Sequence, residues 1–173
     1  MNEPNHAPQA PHLHGLIKGL RSSSPPTAHH GPNGQDSQSH GIDADAFSEL
    51  MAEVMATAEH FGHRQHIQLT WLAVRRYGTA EAVDLVSNGI QRTARYAGAP
   101  QKYNATVSQA WVELVGHHAA AQDVNDFAAF AEHHAALLNK RLLARFYRPT
   151  TLASAEARTG WVEPDLAAFP WQH

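Results

Sequence analysis

The run Asp43-Ala44-Asp45-Ala46-Phe47-Ser48-Glu49-Leu50-Met51-Ala52-Glu53-Val54-Met55-Ala56-Thr57-Ala58 decides the fold. Its apolar side chains at Phe47, Leu50, Met51, Val54, Met55 and Ala58 recur every three or four residues, which places them on one face of a helix. Asp43 or Asp45 offers the oxygen that caps such a helix, and Gly62 closes or kinks it. The same period then runs on. A second stripe, His63, His66, Ile67, Thr70, Trp71 and Val74, ends at Tyr77-Gly78, where glycine suits a left-handed cap. Thr79 starts a third helix on Ala82, Leu85, Val86, Ile90, Thr93 and Ala97, stopped by Gly98-Ala99-Pro100. A fourth runs from about Tyr103 to His118 on Tyr103, Val107, Ala110, Trp111, Leu114 and His118. A fifth carries Phe127, Phe130, Ala131, His134, Leu137 and Leu138. No stretch alternates apolar and polar residues long enough to argue a strand, and the connections are short. The pattern predicts an all-α fold: a compact antiparallel bundle of about five helices.

Upstream of the periodic run the composition changes. Residues 1–42 hold six of the ten prolines, five of the eleven glycines, five serines and six of the fourteen histidines, with only four charged side chains. Such a segment buries too little apolar surface to offset its ordering entropy and reads as a disordered tail before a bundle domain at 43–173. Leu13, Leu16, Ile17 and Leu20 keep helical spacing inside it, either by chance or as a docking segment that folds on a partner. The tail histidines, His29, His30 and His40 among them, offer at most loose metal binding. Downstream, Arg148-Pro149 breaks the last long helix, and Ser154 or Thr151 can cap a short one. Trp161, Pro164, Phe169, Pro170 and Trp171 then read as an extended strap whose aromatics need a groove on the bundle.

Composition bounds the function. Thirteen Lys and Arg against sixteen Asp and Glu give a net charge of −3, without the basic surplus that phosphate-backbone binding exploits, so nucleic acid is not expected as a partner. No stretch approaches the roughly 20 apolar residues of a spanning helix, and no signal-peptide pattern opens the chain, so the expectation is a soluble cytoplasmic protein without a membrane partner. The absence of cysteine removes disulfides, thiolate metal sites and a cysteine nucleophile. Fourteen histidines in 173 residues make histidine the compositional clue.

His63 and His66 lie one helical turn apart on the apolar face of the second helix. Two imidazoles at that spacing can share one ion, and neutral imidazole suits zinc, iron or copper, so a divalent transition metal is the expected cofactor. A complete site needs a third ligand, for which Glu59, His118 and His134 are available, none fixed by spacing. The competing reading makes each ring a core group hydrogen-bonded to backbone. His117-His118 and His133-His134 are adjacent pairs, and neighbours on a helix diverge by about 100 degrees, so each pair offers one ring to a given site. Lys140, Arg141, Arg145 and Arg148 read most simply as a solvated face. Zincin, phosphate-loop, dinucleotide and nucleophile-elbow signatures are all missing.

Two stretches carry a resemblance: Phe61-Gly62-His63-Arg64-Gln65-His66-Ile67-Gln68-Leu69-Thr70-Trp71 and Gly98-Ala99-Pro100-Gln101-Lys102-Tyr103-Asn104-Ala105-Thr106-Val107-Ser108-Gln109-Ala110-Trp111. Together with Leu137-Leu138-Asn139-Lys140, Phe146-Tyr147, Ser154-Ala155-Glu156-Ala157-Arg158 and Glu163-Pro164-Asp165, they are similar to a family of small all-helical bacterial proteins of uncharacterised function, over residues 47–170. That family's pattern has histidines where His63 and His66 stand and a Lys-Tyr-His-x-Thr segment beginning where Lys102 stands. Asn104 occupies the histidine slot here, which implies a weakened or altered site. The resemblance supplies positions and no reaction.

Two functions follow as expectations. The first is a metal-dependent or histidine-based enzyme acting on a small molecule, its pocket between the second and fourth helices. There His63 and His66 hold the metal or act as acid and base, Lys102 and Tyr103 serve the chemistry, and Asn104, Thr106 and Thr70 bind substrate. The second is a noncatalytic ligand-binding or protein-interaction bundle. Exposed aromatics on so small a bundle make a homodimer a reasonable assembly.

Overall fold

A computed structural model of the chain describes residues 36–172. The tail segment Leu13–Leu20 and the histidines His29 and His30 lie outside the described residues. Seven α-helices and three short 3₁₀ turns follow one another, with no strand among the described residues. The fold is the all-α bundle that the periodicity predicts.

Helix α1 spans Asp36–Met55, α2 His63–Tyr77 and α3 Thr79–Tyr96. A 3₁₀ turn at Pro100–Lys102 leads to α4, Ala105–Ala121. Helix α5 is Phe127–His133, followed by 3₁₀ turns at Ala135–Leu138 and Leu142–Arg145, then by α6, Pro149–Leu152, and α7, Ala155–Thr159. Helices α2, α3 and α4 pack on one another, α1 lies across α2 and α3, and α7 docks on α4. Phe47, Leu50 and Val54 of α1 are buried against this trio, confirming the stripe that opened the reading. Gly89 marks the closest approach: a Cβ there would sit 2.0 Å from the Phe47 ring. Between α2 and α3 a single residue, Gly78, turns the chain at φ 85°, a left-handed conformation that glycine adopts without strain.

Boundaries differ from the sequence reading at several points: α1 ends at Met55, short of Ala58, and Gly62 is the N-cap of α2 and does not close α1. Helix α1 already covers Asp36 to Met55, so Asp43 and Asp45 lie inside it and do not cap it. The fifth helix ends at His133, since His134 leaves helical geometry at φ −120°, ψ 46°, and the apolar stripe finishes in the following 3₁₀ turn with Leu137 buried. Pro149 opens α6, where a missing N–H is harmless in the first turn.

The closing segment straps the bundle. Ser154 Oγ accepts from the Ala157 N–H at 3.1 Å and caps α7. Phe169 is fully buried, with Trp171 stacked on it at 4.7 Å and 4° and Phe146 at 4.6 Å. The Tyr147 hydroxyl donates to the Val162 carbonyl at 2.9 Å, and Asp165 accepts from the Arg148 N–H and the Thr151 hydroxyl.

Candidate functional site

His63 opens α2, where the Gly62 N–H donates to the Gln65 side chain at 3.1 Å and fixes the first turn. Its Nε2 lies 2.9 Å from the Leu137 carbonyl oxygen. A carbonyl only accepts, so Nε2 carries the proton in this bond. The same ring meets Trp111 of α4 edge-on at 4.8 Å. His66, one turn further, is 3% exposed and lies 6.5 Å from Phe61. Burial, and then the neighbouring His63, push its pKa down to about 4. The ring is therefore neutral near pH 7, a form that suits a ligand, and too weakly basic for efficient general-base work there.

The two ring centres stand 6.4 Å apart at 47°. With a zinc–nitrogen bond of about 2.0–2.1 Å and a ring centre about 1 Å further on, two imidazoles on one tetrahedral ion have centres about 5 Å apart. The His63–His66 separation exceeds that, so one ion held by both rings would require them to move.

The remaining expected residues have other partners. Lys102 closes the Pro100–Lys102 turn and is half-buried. Tyr103 is half-buried too, and burial raises its pKa against a smaller opposing effect of a hydrogen bond with Ser87. Ser87 Oγ in turn lies 3.1 Å from Ser108 Oγ, tying α3 to α4. Asn104 is the N-cap of α4: Oδ1 accepts from the Val107 N–H at 2.9 Å, while Nδ2 donates to the Leu152 carbonyl at 2.7 Å. Thr106, fully buried, donates to the Gly160 carbonyl at 2.6 Å and accepts from the Val162 N–H at 3.0 Å. Thr70 returns its hydroxyl to the His66 carbonyl within α2 at 2.8 Å. His63 and His66 thus lead to Leu137, Trp111 and Phe61, whereas Tyr103, Asn104 and Thr106 lead to α3 and the strap. The signal for Asn104 was present in the sequence, since asparagine just before a helical run is a strong N-cap.

A second imidazole group forms where α4 ends. His118 and His134 face each other with ring centres 4.6 Å apart at 41°, and His117 stands 5.3 Å from His118. Phe130 lies 4.9 Å from His134, and the strap's Trp171 lies 5.3 Å from His117. His134 Nε2 is buried with no protein hydrogen-bond partner. Burial lowers the pKa of both rings; for His118 the charges of His134 and then His117 act in the same direction, for His134 that of His133. Each ring was legible as a candidate third ligand for His63 and His66, but their mutual pairing depends on how the end of α4 meets the residue after α5. Among the described residues no group of three or more His, Asp or Glu side chains gathers closely enough to hold a metal ion.

An open cleft of about 440 Å³ lies between the C-terminal ends of α2 and α4 and the start of α3. Val74, Arg75, Thr79, Gly116, Gln122 and Asp123 are among its walls. Arg75 is anchored there, donating to the Val124 carbonyl and to Asn125 Oδ1, with Asp123 4.0 Å away. Comparison with protein families, curated proteins and solved structures finds no match for this chain.

Proposed function

We propose that the protein is a noncatalytic binding module, a strapped helical bundle that takes a small polar ligand in the cleft between the ends of α2 and α4. The engagement of Asn104 and Thr106 by the chain's own closing segment supports this reading. Their polar atoms hold Leu152, Gly160 and Val162, and freeing them for a substrate leaves half-buried backbone groups unpaired, towards the lower end of about 1–3 kcal/mol each. The cleft, by contrast, falls within the roughly 300–1,000 Å³ of small-molecule sites and offers donors and acceptors at its rim. The cleft combines the negative ends of α2 and α4 and Asp123 with the positive N-terminus of α3 and Arg75, which favours a ligand carrying both an anionic and a cationic group.

The test is an NMR screen of small amines, amino acids and polyols against the full chain. Saturable shifts at the Val74, Thr79 and Ala119 amides, abolished by filling the cleft with Ala120→Trp, are expected. Shifts centred on Lys102 to Thr106, or chemical conversion of the bound compound, would refute the module reading.

A metal-dependent or histidine-based enzyme at His63 and His66 is the second reading, favoured by one observation: His66 is buried as a neutral imidazole beside His63. Lys102 and Tyr103 are its proposed catalytic groups, with Asn104, Thr106 and Thr70 binding substrate. Metal content of untagged full chain, compared with His63→Ala and His66→Ala, tests it. An unchanged stoichiometry in both variants eliminates the metal version.

A further inference from the structure

We infer that His118 and His134 form a two-imidazole site for a divalent transition-metal ion at the C-terminal end of α4. Three independent features converge on it. The first is spacing. Ring centres 4.6 Å apart lie close to the about 5 Å that two imidazoles on one tetrahedral ion adopt, which the 6.4 Å of His63 and His66 does not. The second is an orphan atom: His134 Nε2 is buried without a protein partner, a position that costs free energy unless something meets it. The third is the field. His118 occupies the last turn of α4, where the unpaired carbonyls carry negative partial charge and favour a cation.

The chemistry of the donors narrows the ion. Neutral imidazoles are borderline ligands that bind copper(II) more tightly than nickel(II) or zinc, while magnesium and calcium prefer oxygen. Both rings have lowered pKa values, so the ligand form is already present at neutral pH and binding releases few protons. With two protein donors, water completes the shell and the ion remains exchangeable, unlike one in a closed four-ligand structural site. Phe130 lies against His134, and the strap's Trp171 lies against His117, the neighbour of His118, so a fluorophore stands one residue from the site.

The experiment titrates copper(II) into untagged full chain carrying glutamine in place of the six histidines before residue 43. Tryptophan fluorescence and the histidine ring resonances are followed together. Substoichiometric copper is expected to broaden His118 and His134 before His60, His63 and His66, and to quench a component that Trp171→Phe removes. His118→Gln and His134→Gln should each weaken the first equivalent at least tenfold, whereas His63→Gln leaves it in place. Should a glutamine variant lose its helical signal, the order of broadening in the unsubstituted site decides alone. Broadening that begins at His63 and His66, or a first equivalent unchanged in folded His134→Gln, overturns the inference.

Discussion

Thr106→Val removes one hydroxyl and nothing else of volume, and the structure fixes what that hydroxyl does. It donates to the Gly160 carbonyl at 2.6 Å and accepts from the Val162 N–H at 3.0 Å, in a fully buried position between α4 and the strap. Valine leaves both backbone groups without that partner. A buried group so orphaned costs about 1–3 kcal/mol, and because Gly160 and Val162 are themselves half-buried the lower part of the range applies, about 2–3 kcal/mol for the two. At about 2–4 °C per kcal/mol for a domain of this size, the melting temperature falls by about 5–10 °C. Thr106→Ser keeps the hydroxyl and deletes one methyl group, at about 1 kcal/mol. Thermal melts by circular dichroism measure the global effect, and hydrogen exchange at the Val162 amide measures the local one. A valine variant that melts within about 2 °C of the parent, with Val162 exchange unchanged, refutes the assignment and returns Thr106 to the pool of ligand-binding groups.

Asn104→Ala removes both the α4 cap and the bond to Leu152, and should cost about 1–3 kcal/mol in urea titration; an unaffected midpoint would show that neither bond matters. Acidification should destabilise the fold. Folded His66 binds its proton only near pH 4 while the unfolded ring titrates near 6.5, so stability is full above 6.5 and declines as pH falls towards 4, by about 3 kcal/mol from this group. His118 and His134 act in the same direction, and a flat melting temperature between pH 6.5 and 4 would contradict the burial of His66. Gly89→Ala drives a methyl group into the Phe47 ring and should cost about 1–3 kcal/mol, partly rescued by Phe47→Leu; absence of rescue would place the damage elsewhere.

The fold was legible wherever a single helix carries its own evidence. The stripe from Phe47 to Val54 names its buried face, because burial on a helix follows a 3.6-residue period whatever the partner. Gly78 was legible for the same local reason, and so was the Ser154 cap. What escaped were ends set by weak local signals. The departure of His134 from helical backbone has no proline or glycine to announce it, so the apolar stripe read straight through to Leu138. Asn104 was ambiguous for the opposite reason: its amide suits a substrate or an N-cap equally well in composition, and the bonds to Val107 and Leu152 show it capping α4.

The histidines show why a site is harder to read than a fold. Periodicity gives the face on which a side chain lies, and it placed His66 in the interior and His63, half-buried, at its edge. Whether two rings converge depends on distances that one helix sets only loosely, and here the turn between them leaves 6.4 Å. Rings from different segments are free of that constraint and can close to 4.6 Å, as His118 and His134 do, but the contact is a property of how the end of α4 meets the residue after α5. No spacing within either segment encodes it. The compositional excess of histidine names a side-chain type, while the pairing of its members is written in the packing. Spacing along a single helix favours His63 and His66 as a ligand pair, whereas packing favours His118 and His134. Metal titration of the two pairs separates these two sources of information, because a helix-encoded pair and a packing-encoded pair respond to different substitutions.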